Sequence, residues 1–97
     1  MITEYANLCV ICNKPATEVH HCVFGRGIRE LADADSLTAP LCKKCHDALH
    51  HGKETLLTQK MSRIIGQLQF EKQQICLGSD PAEAREKFRK RYGESFL

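Results

Sequence analysis

The stretch LCKKCHDALHH, residues 41–51, decides the fold because it combines one Cys-x-x-Cys pair with three histidines. An earlier pair, Cys9 and Cys12, has the same spacing. Two such pairs are typical of a structural zinc site, in which each pair supplies one edge of a tetrahedron. We therefore predict that structural Zn²⁺ is bound by Cys9, Cys12, Cys42 and Cys45. Free thiols or a redox pair are the alternative, and Cys22 and Cys76 are predicted to be small buried side chains.

The histidines indicate a second metal site. His46 and His50 are four residues apart, so a helix places them on one face, where both can bind one ion. The segment EVHHCVFGRG, residues 18–27, contains two adjacent histidines, His20 and His21. Neighbours on an extended segment point to opposite faces. Either His20 or His21 can therefore complete the site, and the other stays unligated and free to take a proton.

The pattern predicts a small α+β domain. After the first cysteine pair we expect a strand over residues 17–24, a loop over 25–35 and a second strand over 36–42. A short helix follows over residues 43–51. Gly52 is expected to end it as the C′ glycine.

Two further helices are predicted in the C-terminal half. Residues 54–74 carry apolar side chains at the 3.6-residue period of an amphipathic helix. These are Leu57, Met61, Ile64, Ile65 and Leu68. The last helix starts with Asp80 as N-cap, Pro81 at the first helical position and Glu83 in a capping box, and it ends at Gly93. We treat residues 1–97 as one domain, in which 52–97 form a helical extension.

The composition restricts the class of protein. The 97 residues carry a net charge of +2, and no apolar run reaches the roughly 20 residues that a membrane span needs. The first residues lack the basic and apolar pattern of a signal peptide, so we expect a cytoplasmic protein in which the cysteines bind metal rather than form disulfides. Residues 51–97 hold nine Lys and Arg against six Asp and Glu.

The motif order over about residues 9–51 resembles that of the HNH, or ββα-metal, endonucleases. The shared order is Cys-x-x-Cys, then His-His, then Leu-Cys-x-x-Cys-His-x-x-x-His. The chain is most similar to the small phage and prophage members with a four-cysteine zinc knuckle. The resemblance implies a ββα-metal core with a structural zinc knuckle and two further C-terminal helices.

The resemblance also implies a role for each histidine. His20, His46 and His50 fall on the positions that bind the catalytic metal, and His21 falls on the general base. A backbone carbonyl across the hairpin is the expected partner of the second ring nitrogen of His21.

One family residue is missing. The central Asn of the family name has no counterpart, and its place before the second strand holds Asp35, Ser36 and Leu37. Ser36, or Asp35, can stand in by making the hydrogen bonds that hold the loop and orient the base.

By this resemblance the chain is a metal-dependent endonuclease that hydrolyses DNA phosphodiester bonds. One divalent metal ion, Mg²⁺ or Mn²⁺ with Zn²⁺ or Ni²⁺ as alternatives, polarises the phosphate, and a neutral histidine removes a proton from the attacking water. The alternatives are a non-catalytic, zinc-stabilised nucleic-acid-binding module and a zinc-ribbon adaptor for protein partners.

Basic side chains near the motif and in the run REKFRKR, residues 85–91, are candidates for phosphate contacts. The candidates are Arg26, Arg29, Lys43, Lys53, Arg89 and Arg91. The alternative for each is an ordinary solvated surface charge. DNA is the expected partner, with recombination or replication proteins of phage or host as further partners, and the long helix offers a face for a homodimer.

Overall fold

The chain forms a two-stranded antiparallel sheet and four helices, a small α+β arrangement. The computed structural model describes residues 1–97. In chain order the elements are β1 (Glu18–His21), α1 (Ile28–Ala34), β2 (Thr38–Leu41), α2 (Lys43–His51), α3 (Thr55–Cys76) and α4 (Pro81–Tyr92). None of these helices has the combination of length and apolar character that a bilayer crossing requires.

The hairpin is shorter than predicted, with four residues in each strand. His20 lies opposite Ala39, and His21 lies opposite Thr38. Pro40 has no N–H to give to the sheet, but its carbonyl accepts a hydrogen bond from the Val10 N–H at 3.0 Å. The segment that contains the first cysteine pair is thereby attached directly to β2.

The predicted loop 25–35 is wrong in part, because α1 occupies most of it. Gly27 precedes the helix in the left-handed conformation, at φ 77°. Ala32, fully buried, anchors α1 against the core, and its carbonyl accepts from the Leu37 N–H at 2.8 Å. A helix of seven residues is too short for its period to stand out in the sequence.

Helix α2 begins and ends close to the predicted residues. Cys42 is its N-cap, and the Cys42 Sγ accepts from the Cys45 N–H at 3.4 Å. Gly52 ends the helix with φ −79°, so it does not adopt the left-handed conformation of a C′ glycine. The predicted helix is present, but it does not end through a left-handed glycine as predicted.

Helix α3 is present, but its apolar stripe faces away from the core. Leu57, Met61, Ile65 and Leu68 are each at least 41% exposed. The buried side instead carries Ser62, Gly66, Gln67, Phe70 and Glu71. The exposed side lines an apolar groove of about 260 Å³ between α3 and the first cysteine pair.

Helix α4 follows the sequence prediction closely. The Asp80 carboxylate accepts from the Glu83 N–H at 2.9 Å, and Gly93 ends the helix at φ 88°. Phe88 and Tyr92 pack on Phe70 of α3, with ring centroids 5.4 and 6.0 Å away. Aromatic contacts at these separations stabilise the α3–α4 pair.

The buried apolar side chains form two separate clusters. The larger, which we call the helical core, lies between β1, α1, α3 and α4. It consists of Val23, Ala32, Leu37, Phe70, Phe88 and Tyr92. The smaller, which we call the knuckle core, consists of Cys9, Leu41 and Leu49, with Cys42 and Cys45 packed against it. Of the two cysteines predicted to be buried, Cys22 is and Cys76 is exposed.

Candidate metal centres

The four paired cysteines come together in one cluster. The sulfur atoms of Cys9, Cys12, Cys42 and Cys45 all lie within 4.8 Å of one another. Cys12 Sγ and Cys42 Sγ are 3.7 Å apart, far beyond the roughly 2.05 Å of a disulfide bond. Sulfurs at about 2.3 Å from a tetrahedral zinc lie about 3.8 Å from each other. The cluster therefore fits a structural metal such as zinc, and all six cysteines are free thiols.

Local backbone geometry shapes the first pair of cysteines. Cys9 N–H donates to the Lys14 carbonyl at 2.7 Å, and Asn13 N–H donates to the Cys9 carbonyl at 2.9 Å. Asn13 takes a positive φ of 62°, which asparagine tolerates better than most residues. This tight turn directs backbone N–H groups toward the sulfurs.

The ionisation of the cluster points to a cation. Burial raises the pKa of Cys9, but hydrogen bonds from backbone N–H groups, those of Cys42 and Cys12 first, outweigh it and lower this pKa to about 6. At Cys45, burial and the neighbouring thiols raise the pKa. The thiolate form is thus favoured at Cys9 and disfavoured at Cys45. This is expected because closely spaced sulfurs repel each other when they are ionised. A divalent ion removes this conflict because it binds all four as thiolates.

Three histidines form a second cluster. His20 projects from β1, whereas His46 and His50 lie one turn apart on α2, and a ring nitrogen of each lies within 4.8 Å of the others. The ring centroids are 5.0 to 5.5 Å apart. His51 is exposed and lies outside the cluster. These are the three histidines to which the resemblance to HNH endonucleases assigns the catalytic metal.

The electrostatics favour the neutral form of two rings in this cluster. Burial, followed by the like-charged neighbours His46 and His50, lowers the pKa of His20 to about 4. Burial likewise lowers the pKa of His50, with His46 and His51 as the next causes. Both rings are therefore neutral at pH 7, and each neutral ring keeps a nitrogen lone pair for a metal ion.

Neighbouring groups hold the rings by hydrogen bonds. Nδ1 of His46 lies 2.6 Å from Oε1 of Glu18, and Nε2 of His20 lies 2.8 Å from Oγ of Ser62. The Ser62 hydroxyl also donates to the Cys22 carbonyl at 2.8 Å. Glu18 lies on the same face of β1 as His20, and Ser62 reaches the site from α3.

His21 lies beside the cluster but is not part of it. Together with the three cluster histidines, Phe24 and Arg29, it lines a cavity of about 210 Å³. Its Nε2 lies 2.8 Å from Oδ1 of Asp33, a residue of α1. The expected backbone carbonyl is thus replaced by a carboxylate.

Neither predicted stand-in for the family Asn contacts His21. The Asp35 carboxylate bonds to α4 instead, accepting from Arg91 Nε at 2.5 Å and from the Tyr92 hydroxyl at 2.6 Å. Ser36 has a positive φ of 60°, and its backbone carbonyl accepts from the N-terminal amine at 2.7 Å. Both residues hold the loop, whereas Asp33 orients the histidine.

The predicted nucleic-acid contacts divide into two groups. Arg29 lines the histidine cavity. Arg89 and Arg91 are engaged in ion pairs with Glu86 and Asp35, at 2.6 and 2.5 Å. The candidates that are exposed and free of ion pairs are Arg26, Arg29, Lys43 and Lys53.

Sequence reasoning missed four neighbours of the histidines: Glu18, Asp33, Ser62 and Arg63. Arg63 packs over the Phe24 ring, 4.2 Å from its centroid, and Phe24 in turn contacts His20 and His50. Only Glu18 could have been identified from the sequence, because it lies two residues before His20 and therefore shares its face of the strand. The other three approach through the tertiary fold.

Comparison with known proteins identifies a family for this chain. A family model described as "Protein of unknown function (DUF968)" matches residues 5–78. No curated protein and no solved structure matches the chain. The matched segment contains both clusters of candidate metal ligands and all five elements from β1 to α3. Because the match covers well over half of the chain, the protein belongs to the DUF968 family.

Proposed function

We propose that this protein is a metal-dependent endonuclease of the HNH kind that hydrolyses DNA phosphodiester bonds. In this proposal β1, β2 and α2 form the ββα-metal core, and α3 and α4 extend it. One observation carries the proposal: a histidine that belongs to no cluster shares a cavity of about 210 Å³ with three histidines that do. A module that only binds nucleic acid has no need for such an unligated base.

The donor set fits a divalent cation. His20, His46 and His50 would hold it through neutral imidazole nitrogens, which suit several divalent ions. When bound, such an ion would polarise a phosphate and stabilise the departing oxygen. The cavity is open enough to admit a phosphate group beside the three rings.

His21 is the proposed general base. An ionised Asp33 carboxylate only accepts hydrogen bonds, so the contact at 2.8 Å places the proton of a neutral His21 on Nε2. Nδ1 then has a lone pair that can take a proton from water. The resulting hydroxide forms a bond to phosphorus, the bond from phosphorus to the 3′ oxygen breaks, and that oxygen takes a proton from solvent water to become a hydroxyl. The products carry 5′-phosphate and 3′-hydroxyl ends.

Basic side chains around the cavity support an anionic substrate. Arg29 lines the cavity, and Arg63 lies behind Phe24 at its edge. Arg26, which is exposed in the turn before α1, lies close in sequence to Arg29. Such charges attract the phosphate backbone without reading its sequence.

Plasmid nicking in Mg²⁺ or Mn²⁺, with and without chelator, tests the proposal. His21→Ala should lower the cleavage rate about 10²- to 10⁴-fold, the usual contribution of a general base. The metal content should not change, because His21 is not a ligand. His51→Ala removes an exposed neighbouring histidine and should cleave like the wild type.

Other outcomes would point elsewhere. If the wild type does not nick DNA in any divalent metal but binds it in a salt-dependent way, the protein is the non-catalytic nucleic-acid-binding module. If His21→Ala cleaves as fast as the wild type, another group is the base.

A further inference from the structure

The hydroxyl of Ser62 has only one proton, and the structure assigns it a partner. Ser62 Oγ lies 2.8 Å from the Cys22 carbonyl oxygen and 2.8 Å from Nε2 of His20. A carbonyl oxygen can only accept, so the hydroxyl donates to Cys22. The contact with His20 must then run the other way, with the ring donating its Nε2–H to the Ser62 oxygen. This tautomer of a neutral ring has its lone pair on Nδ1.

Glu18 imposes the opposite tautomer on His46. Its carboxylate lies 2.6 Å from Nδ1 of His46. An ionised carboxylate has no proton to give, so Nδ1 carries the hydrogen and Nε2 has the lone pair. The third histidine of the cluster, His50, has no hydrogen-bond partner for its ring, so no neighbour fixes which of its nitrogens is free.

The two partners are well placed to act as fixed supports. Ser62 is 7% exposed and His20 is 4% exposed, so water does not compete for the hydrogen bond between them. Gly66, one turn after Ser62 on the same side of α3, allows the helix to approach Cys22 closely. His46 and Glu18 are half-buried, and Glu18 is anchored on the strand that carries His20.

We propose that Ser62 and Glu18 are positioning residues of the histidine metal site, which select Nδ1 of His20 and Nε2 of His46 as the metal-binding atoms. The inference deepens the proposed function and rests on its metal site. It also gives α3 a role there, since Ser62 lies outside the ββα core. Hydrogen-bond partners of this kind typically contribute 10- to 100-fold to metal affinity.

The first test needs no metal in the histidine site. Long-range ¹⁵N–¹H spectra of the imidazole rings, recorded with zinc in the cysteine site only, report which nitrogen carries the proton. We expect the Nε2–H tautomer at His20 and the Nδ1–H tautomer at His46. Ser62→Ala should convert His20 to a mixture of tautomers, whereas Ser62→Thr should keep the wild-type pattern because it retains the hydroxyl. The Nδ1–H tautomer at His20 in the wild type would overturn the inference.

The second test is calorimetric titration of the same zinc-loaded protein with Mn²⁺. Ser62→Ala and Glu18→Ala should each bind Mn²⁺ 10- to 100-fold more weakly than the wild type. Glu18→Gln should lose less, since its amide oxygen still accepts from Nδ1 of His46. Lys60→Ala, an exposed change on α3, is the matched control and should bind normally.

The results separate the two proposals. Wild-type protein that binds neither Mn²⁺ nor another divalent ion at the histidines would overturn the metal site and the positioning roles with it. Tight Mn²⁺ binding that Ser62→Ala and Glu18→Ala leave unchanged would overturn the positioning roles alone and leave the endonuclease proposal standing.

Discussion

His20 shows how one buried side chain can couple pH to stability. Burial, together with His46 and His50, lowers its pKa to about 4 in the folded chain, against an ordinary value of 6.5. At pH values between 4 and 6.5, His20 is protonated in the unfolded chain and neutral in the folded chain. Stability contributed by the neutral ring is therefore complete above pH 6.5 and is lost as the pH falls toward 4.

We expect the free energy of unfolding to drop by about 2 kcal/mol between pH 7 and 5 from His20 alone, at 1.36 kcal/mol per pKa unit. The measurement is urea unfolding at several pH values with no divalent ion besides the zinc of the cysteine site. His20→Gln should lose this part of the pH dependence, and His51→Gln should keep it. Equal slopes for the wild type and His20→Gln would contradict the prediction.

The hydrogen-bond partner of His21 is a residue that the resemblance to HNH endonucleases did not indicate. The sequence resemblance directs attention to Ser36 and Asp35, where the family has Asn. In the fold Asp35 is turned toward Arg91 and Tyr92, whereas Asp33, two residues earlier, meets the imidazole. The difference arises because α1 forms where a loop is expected, and a helix changes which residues face β1.

Helix α3 approaches the end of β1 so closely that only glycine fits at position 66. A Cβ there would lie 2.7 Å from Cγ2 of Val23 and 3.1 Å from Cβ of Cys22. Val23 is 2% exposed and β-branched, so it has little freedom to move aside. The glycine thus sets the distance at which Ser62 reaches the Cys22 carbonyl.

Gly66→Ala should therefore destabilise the protein, although the same change in an open helix would stabilise it by about 1 kcal/mol. We expect a net loss of about 1–2 kcal/mol from overpacking, read as a lower Tm. Val23→Ala creates space at the same point, so the double variant should lose less than the sum of the two single variants. Additive losses would show that the contact with Val23 is not the cause.

The sequence predicted the elements that depend on local signals. Asp80 and Gly93 mark the ends of α4 through capping, and the apolar period of residues 57–68 marks α3 as a helix. That period did not reveal which side of α3 is buried. The buried polar side chains are tolerated because they bond to one another: Gln67 donates to Glu71 at 2.7 Å and accepts from the Phe96 N–H at 2.7 Å. Such tertiary pairing has no signature in a single sequence.

Both clusters of candidate metal-binding residues were predicted because the spacing within each pair of residues is local. Cys-x-x-Cys and His-x-x-x-His each bring two ligands together on one turn. The candidate ligand His20 and its partner Ser62 are joined only through the packing of α3 on β1, and the spacing of residues 20 and 62 in the sequence does not indicate that contact. The members of the two clusters were thus predictable, and most of the residues that hydrogen-bond to them were not.

At the level of the whole chain, we expect the helical core and the knuckle core to differ in stability because they differ in size. The helical core contains three aromatic rings and can hold α3 and α4 together by packing. The knuckle core has only three buried residues, of which Cys9 is itself a metal-binding candidate. So small a cluster buries too little apolar surface to offset the conformational entropy of the N-terminal segment, and a metal ion held by the four cysteines would supply the rest.

Cys12→Ser tests this division, because its thiol is exposed and its replacement leaves no cavity in the core. We expect loss of the bound zinc and fast hydrogen exchange at β2 and α2, while amides of α3 and α4 near Phe70 and Phe88 stay protected. Cys76→Ser changes an equally exposed thiol outside the cluster and should leave both zinc content and exchange unchanged. A Cys12→Ser protein with one zinc per chain and wild-type exchange would mean that the knuckle core holds without its fourth sulfur. Uniform loss of protection across α3 and α4 would mean that the two cores unfold as one unit.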